Sequence, residues 1–304
     1  MALAVASTTN GTSTSSTTVV VTKPSGVASG DLLIIVGNSS AGSSFTCPGF
    51  TVGGDWAWDA PGGLGDTSVR LLYRIADSSD VSASNYTVTG ATNQMGILSM
   101  LRITGWSTGN PVFGSAYEGW DPSSSGTRTI TGLSIPRLSQ SVVFLVTASY
   151  DDGDSDTIGN IRTQTLTSAD SNPTWTEIID SNVTVGGSGV GKMSLSVSHA
   201  TTTSTATITG YSFQYDDQDA DDAAGALSVL IVMNEPNSPT TDLSHNAVIP
   251  AQFGPTVTQV NTNPDLSHNA VVPTINGTET IAASPTMWTN GDKPSETTWT
   301  NTDK

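Results

Sequence analysis

The sequence predicts an all-β protein, an antiparallel β-sandwich of two sheets. Ser, Thr and Gly are abundant, and the Ser and Thr residues mostly lie beside β-branched Val and Ile. This composition is typical of short strands joined by turns. Two apolar runs, residues 32–36 (LLIIV) and 141–148 (SVVFLVTA), have the character of strands buried on both faces. A chain of 304 residues is long enough for one large β domain or two small ones.

The first group of strands is expected between residues 17 and 105. Residues 1–16 predict a flexible leader, because Ser, Thr, Gly and Asn bury too little apolar surface to offset the entropy of ordering. An aromatic segment, residues 45–65, lies within the group and carries several glycines. The predicted strands of the group are residues 17–23, 31–36, 67–76, 85–89 and 96–104.

A second group is expected between residues 127 and 236, after a long loop over residues 105–125. Its predicted strands are residues 127–131, 141–148, 174–180, 191–199, 206–213 and 225–233. Both groups follow the same order of buried run, aromatic turn, alternating strand and second buried run. This order fits an internal duplication, and it also fits the ordinary recurrence of strands in a sandwich. On either interpretation we expect roughly ten strands within residues 17–236.

Charge and cysteine content exclude several classes of protein. The net charge of −17, with a pI near 4.1, repels phosphate and therefore disfavours nucleic acid and anionic membrane surfaces as partners. No apolar run approaches the roughly 20 residues that a membrane-spanning helix needs. The first residues lack the basic and hydrophobic regions of a signal peptide, so we expect synthesis in the cytoplasm without export. Cys47 is the single cysteine, so we expect an inert thiol and no intrachain disulfide.

No catalytic signature is present in the sequence, and we therefore expect a protein that is not an enzyme. The three histidines lack the spacing of a zinc site, and no nucleophile elbow, phosphate-binding loop or dinucleotide fingerprint occurs. The two carboxylates of a glycoside hydrolase need not be close in sequence, because the fold brings them together. A polysaccharide depolymerase therefore stays a hypothesis, ranked below the non-enzymatic ones given below.

Three alternating carboxylates form the one candidate metal site. Asp152, Asp154 and Asp156 resemble the first half of a calcium loop, whose oxygens would converge on the ion. The bidentate glutamate that should follow at the twelfth position is replaced by Thr163. A bound Ca²⁺ and a solvated acidic loop are both compatible with the pattern, and we favour the solvated loop. No other cofactor is expected.

Four tryptophans among turns are candidates for a glycan-binding surface. Trp56 and Trp58 lie in the aromatic segment, and Trp106 and Trp120 lie in the loop over residues 105–125. Such rings either close the end of a core or stack on the faces of sugars, with Asn and Asp holding the hydroxyl groups. Packing is the favoured interpretation for the aromatic segment.

The character of the chain changes after residue 236, and residues 237–304 predict an extended C-terminal arm with short repeats. Residues 242–250 (DLSHNAVIP) recur as residues 265–273 (DLSHNAVVP), and a Trp-Thr-Asn unit occurs twice. Each unit carries one short apolar segment, residues 247–249 or residues 270–272, which the unit cannot bury by itself. Each unit should therefore dock on a partner or on a symmetry copy. A disordered appendage is the alternative. The candidate interaction residues are Leu243, His245, Val248, Leu266, His268, Val271, Trp288 and Trp299.

Residues 17–236 resemble the jelly-roll-like β-sandwich domains of structural proteins of tailed bacteriophages. The resemblance is carried by GDLLIIV, GFTV followed by tryptophans, SVRLLYRIA, NYTVTG and the closing GALSVLIVMNEP. The arm is similar to the short Asn- and Trp-containing repeats of phage virion proteins. The resemblance implies a homo-oligomer, often a trimer, on the virion surface as head decoration, head fibre or tail fibre component, in contact with proteins such as the major capsid protein. The alternative is a receptor- or carbohydrate-binding module of a tail fibre.

Overall fold

Antiparallel β-strands make up nearly all of the regular structure. The computed structural model describes residues 3–13, 16–40, 44–58, 67–90, 95–106, 110–120, 125–137, 141–151, 158–185, 191–217, 225–234, 257–261 and 269–273. The chain divides into two compact units, Met1–Ser238 and Pro239–Lys304. The predicted antiparallel β-sandwich is confirmed in the first unit, which contains four sheets where we expected two.

Eight strands form the first half of the Met1–Ser238 unit. Strands β1 to β8 span Ala4–Thr12, Thr18–Thr22, Leu32–Ser40, Phe45–Thr46, Thr51–Trp58, Thr67–Ile75, Asn85–Gly90 and Met95–Thr104. Five of them form inner sheet 1, in the order β1-β8-β3-β6-β5, and three form outer sheet 1, in the order β2-β7-β4. All pairings are antiparallel.

Eight further strands form the second half. Strands β9 to β16 span Val112–Trp120, Gly126–Ile135, Ser141–Asp151, Ile158–Thr167, Thr176–Val185, Gly191–Thr202, Ile208–Asp217 and Gly225–Asn234. Inner sheet 2 has the order β13-β14-β11-β16-β9, and outer sheet 2 has the order β10-β15-β12. Adding eight to each strand number of the first half reproduces both sheets of the second half. The two halves therefore share one topology.

The four segments that match between the halves in sequence occupy equivalent strands. The buried runs lie in β3 and β11, and the closing apolar segments lie in β8 and β16. The tryptophans of the first aromatic segment lie within β5, and the second aromatic segment, around Trp175, leads into β13. The alternating segments lie in β6 and β14. Equal strand order favours duplication over the chance recurrence of strands.

The buried apolar side chains form three main clusters, one at each interface between sheets. Along β3, Leu32 and Ile34 face the central cluster between the two inner sheets, whereas Leu33 and Ile35 face the cluster between inner and outer sheet 1. Strand β11 behaves in the same way, with Phe144 in the central cluster and its neighbours toward outer sheet 2. Each inner sheet is therefore buried on both faces, which explains the uninterrupted apolar runs.

Five strands of the Met1–Ser238 unit were not predicted from the sequence. Strand β1 lies where we expected a flexible leader, and β9 lies where we expected a loop over residues 105–125. Strands β4 and β5 lie in the aromatic segment, and β12 lies in another segment to which no strand was assigned. All five are edge strands of their sheets. An edge strand has one hydrogen-bonded neighbour and buries little, so its residues alternate weakly between apolar and polar types.

One short helix, α1 (Ser78–Ser82), precedes β7 and was also not predicted. Asp77 caps it by accepting hydrogen bonds from the backbone N–H groups of Ser79 and Asp80, and the Asp80 carboxylate in turn accepts from the backbone N–H of Asp77. The buried Asp80 carboxylate also accepts from the Arg74 guanidinium at 2.9 Å and the Tyr86 hydroxyl at 3.0 Å. This reciprocal cap holds a helix too short to persist alone. In the part of the chain that the structure describes, no helix has the length and apolar character required to span a membrane.

The Pro239–Lys304 unit contributes one described pair of strands. Strands β17 (Val257–Asn261) and β18 (Asn269–Pro273) are antiparallel, and β18 contains the last five residues of the second DLSHNAV unit. The candidate residue Val271 lies in β18 opposite Gln259.

Asn38 is a buried polar side chain that links the two halves across the central cluster. It is fully buried in β3, and its Nδ2 donates to the backbone oxygen of Ser194 in the other half at 2.7 Å. Its Oδ1 accepts from the backbone N–H of Ile97 at 2.9 Å, at the irregularity where the β3–β8 ladder shifts register. One amide side chain thus replaces a missing ladder bond and aligns the inner sheets.

We expect Asn38→Ala to lower the free energy of unfolding by about 2–4 kcal/mol, because it leaves a buried N–H and a buried carbonyl without partners. Urea unfolding followed by circular dichroism measures the change. The matched control is Asn85→Ala, at an exposed asparagine that starts β7, where we expect a change within about 0.5 kcal/mol. Equal effects of the two substitutions would show that Asn38 has no such linking role.

Candidate functional site

Two of the candidate tryptophans lie where β5 packs over β9. Trp56 is buried, and its indole N–H donates to the Ser115 hydroxyl at 3.2 Å. Trp58 is half-buried against the central cluster, and its ring covers Gly119 so closely that a Cβ at that position would lie 1.9 Å from the ring. Both rings join the edges of the inner sheets.

The other two candidate tryptophans are buried as well. Trp106 belongs to the central cluster. Trp120 contacts Tyr215 edge-on with 4.5 Å between ring centroids, and the Arg128 guanidinium lies 5.5 Å from its centroid. A sugar needs an exposed ring face, so the expectation of glycan stacking does not hold at Trp56, Trp106 and Trp120, where packing is the role that burial supports.

Most of the remaining candidate residues lie outside the described part of the chain. The carboxylates of the calcium-loop hypothesis are Asp152, Asp154 and Asp156, and none of them is described. Within the described ranges, no group of three or more His, Cys, Asp or Glu side chains has the geometry to hold a metal ion. In the arm the structure describes the backbone of Val271 but not Leu243, His245, Val248, Leu266, His268, Trp288 or Trp299.

Two carboxylates, Asp180 of β13 and Asp216 of β15, bind residues of β12. Asn160 and Thr163 have positive φ angles of 51° and 53°, which are strained for residues with side chains. The Asn160 backbone N–H donates to Asp180, and its side chain donates to Asp216, which also pairs with Arg162 at 2.7 Å. Burial raises the pKa of Asp180. These bonds hold the doubly bulged shape of β12 and leave no evident ligand position.

A groove opens at one end of the second half, between two loops. Asp170, Ser171 and Pro173, from the loop after β12, form one wall, and residues 201–206, from the end of β14 and the turn that follows, form the other. Its volume is about 630 Å³, within the range of small-molecule sites. Hydroxyl groups of Ser and Thr make up most of the lining, and Asp170 is its one carboxylate.

Arg137 holds the two walls of the groove together. Its side chain is 1% exposed, and its Nη2 pairs with Asp170 Oδ2 at 3.0 Å. The Nε atom donates to the backbone oxygen of Ala206 at 2.6 Å, and Nη1 lies 3.5 Å from the Thr202 hydroxyl. Burial lowers the pKa of Arg137, and the adjacent carboxylate opposes that shift. The guanidinium is fully engaged with the protein and positions Asp170, whose side chain stays 39% exposed.

Asn172 fixes the shape of the loop that carries Asp170. Its Oδ1 accepts from the backbone N–H of Leu166 at 2.9 Å and from the Trp175 indole N–H at 3.4 Å. Its Nδ2 donates to the backbone oxygen of Gln164 at 2.9 Å. The groove therefore has a preformed wall.

The opposite wall is held by its own hydroxyl groups. The Thr202 hydroxyl accepts from the Ser204 N–H at 3.1 Å, and the Ser204 hydroxyl accepts from the Ala206 N–H at 3.0 Å and donates to Asp170. Thr201, Thr203 and Thr205 alternate with these residues and are exposed.

The sequence interpretation missed this groove because its residues looked like an ordinary polar hairpin. The available signal was a lone arginine between two strands of a chain with few cations, together with the hydroxyl run TTTST at residues 201–205. Neither feature predicts that Arg137 and Asp170 meet, because 33 residues separate them in sequence.

We expect Cys47 to react slowly with thiol reagents, as the sequence interpretation predicted. The side chain is buried, and burial raises the pKa of its thiol to about 11. Because the thiolate is the nucleophile, labelling by a disulfide reagent at pH 8 should be at least about a hundredfold slower in the native protein than in urea. A variant carrying Cys47→Ser and Thr87→Cys, which exposes a thiol on β7, should label at the ordinary rate. Fast labelling of native Cys47 would contradict the burial.

We expect Arg137→Met to lower the free energy of unfolding by about 2 kcal/mol, because it removes charge-assisted bonds and leaves the Ala206 carbonyl unpaired. Arg162→Met is the control, since Arg162 and Asp216 form an exposed pair that should contribute under about 1 kcal/mol. Urea unfolding measures both. A smaller effect at Arg137 than at Arg162 would show that it does not hold the walls.

Comparisons of the chain with protein-family models, with curated proteins and with solved structures give no match. The geometry of the described residues is therefore the basis for assigning a function.

Proposed function

We propose that the protein is a non-enzymatic structural protein of a phage particle, displayed on the surface as capsid decoration or fibre and attached through its C-terminal arm. The observation that carries the proposal is the pair of topologically equal sandwiches that share one buried core. Such a body is suited to display, because burial on both faces of the inner sheets resists local opening. The particle type comes from the sequence resemblance.

The arm supports an attachment role through its repeats. The DLSHNAV units stand 23 residues apart (265 − 242), and β18 lies within the second unit. An isolated pair of strands is marginally stable in water, so the β17–β18 pair gains stability by packing against something else. A neighbouring copy or another particle protein would supply that surface. We propose a homo-oligomer, with three copies as the family resemblance implies, in contact with particle proteins such as the major capsid protein.

The acidic surface fits assembly through the arm better than binding of nucleic acid. With ten basic residues against 27 acidic ones, the chain has too few cations to neutralise a phosphate backbone. The alternative, a receptor- or carbohydrate-binding module built on the four tryptophans, loses its basis at the three buried rings.

We expect deletion of residues 237–304 to abolish incorporation into particles, or oligomerisation, while the remaining β domain, residues 1–236, stays folded. The reason is that the repeats lie in the deleted unit and the three apolar clusters lie in the retained one. Circular dichroism and urea unfolding report the fold. Light scattering after size exclusion gives the oligomeric mass, and sedimentation with particles gives incorporation.

A pair of substitutions separates the repeats from the rest of the arm. Val248→Asp with Val271→Asp should reproduce the defect in the full chain, because a carboxylate cannot enter an apolar contact without a large desolvation cost. Val20→Asp is the control, at a valine of the body that is 58% exposed, and it should leave assembly unchanged. Full oligomeric mass and normal incorporation of the truncated chain would overturn the role of the arm.

A further inference from the structure

We propose that the groove between Asp170 and residues 201–206 is a binding site for a neutral saccharide. This site is separate from the four tryptophans, and it does not depend on the role proposed for the arm. The chemistry of the lining, its charge and its preformed shape support such a ligand.

The lining is matched to a ligand rich in hydroxyl groups. Thr201, Thr203 and Thr205 are exposed along one wall, and Ser171 is exposed on the other. A hydroxyl group both donates and accepts hydrogen bonds, so a row of them can pair with a row of sugar hydroxyls in either direction. The Asp170 carboxylate adds a strong acceptor, which makes charge-assisted bonds with ligand O–H groups.

The charge and polarity of the groove disfavour charged ligands and purely apolar ligands. The Arg137 guanidinium is buried and engaged by Asp170 and by the Ala206 carbonyl, so it is not presented to a ligand. An anion would therefore meet an exposed carboxylate with no cation offered to it by the lining. The same arginine neutralises Asp170, which weakens the attraction for a cation. A purely apolar ligand would leave the threonine hydroxyls desolvated and unpaired.

The shape of the groove is fixed before a ligand binds. Arg137 joins the two walls, and Asn172 ties down the loop that carries Asp170. Preformed walls lower the entropy that binding costs. Pro173 adds an apolar ring to a wall that is otherwise polar, and sugars present C–H faces to such surfaces. With about 630 Å³ and an open mouth, the groove admits a segment of a longer saccharide.

The test uses the full-length protein on a printed array that carries neutral, sialylated and sulfated oligosaccharides. We expect binding to neutral members. A variant with Thr203→Val and Thr205→Val should bind the same members at least about tenfold more weakly, because it loses two hydroxyl partners while keeping the shape of the side chains. Substitution of Asp170 is avoided as the primary test, because it would leave Arg137 buried without its partner.

The matched control carries Thr87→Val and Thr89→Val, the same change at two exposed threonines of β7 in the first half. It should bind like the wild-type protein, and urea unfolding should confirm that both variants are folded. Absence of wild-type binding to every neutral glycan, binding to sialylated or sulfated members alone, or equal binding by both variants would each overturn the proposal. The deletion of residues 237–304 should leave glycan binding intact, so failure of the arm hypothesis and failure of this one are distinguishable.

Discussion

The burial of both inner sheets on both faces is the constraint on which the rest of the structure depends. Alternate residues of β3 and β11 enter the central cluster, and the residues between them enter the outer clusters. Each fully buried Leu, Ile or Val contributes about 1.5–3 kcal/mol, whereas a hydrogen bond contributes about 1 kcal/mol net. Apolar burial therefore holds the halves together. The buried Asn38 adds alignment, since its two bonds are satisfied only when β3, β8 and β14 are in register.

The equal topology of the two halves means that each half leaves the same face of its inner sheet to be covered by the other. In each half the outer sheet covers one face of the inner sheet, and the other face is covered by the opposite half. A half alone would expose a wide apolar surface, which soluble monomers rarely do. Each half thus supplies the missing layer for the other. The glycine positions agree with this close stacking, because Gly119 leaves room for the ring of Trp58 from the other half.

The arginines of the chain are engaged in ion pairs within the fold. All six arginines pair with carboxylates, and these residues are Arg70, Arg74, Arg102, Arg128, Arg137 and Arg162. Most of these pairs are partly exposed and add little stability individually. Arg137 differs, because its buried guanidinium joins three segments and shapes the groove. Function at that groove would then depend on hydroxyl groups and one carboxylate, while the excess of acidic residues keeps the surface soluble.

The sequence by itself determined the β class, the two doubly buried runs and the matching order of segments in the halves. These features follow from local periodicity and composition, which any strand must display to be buried. The tertiary structure alone decided the four-sheet arrangement. An uninterrupted apolar run in the sequence indicates a strand buried on both faces, but it does not identify the sheets that cover those faces. It also decided the edge strands β1, β4, β5, β9 and β12, whose single neighbours leave weak patterns. The meeting of Arg137 with Asp170, and hence the groove, arises from contacts between distant residues that no local pattern encodes.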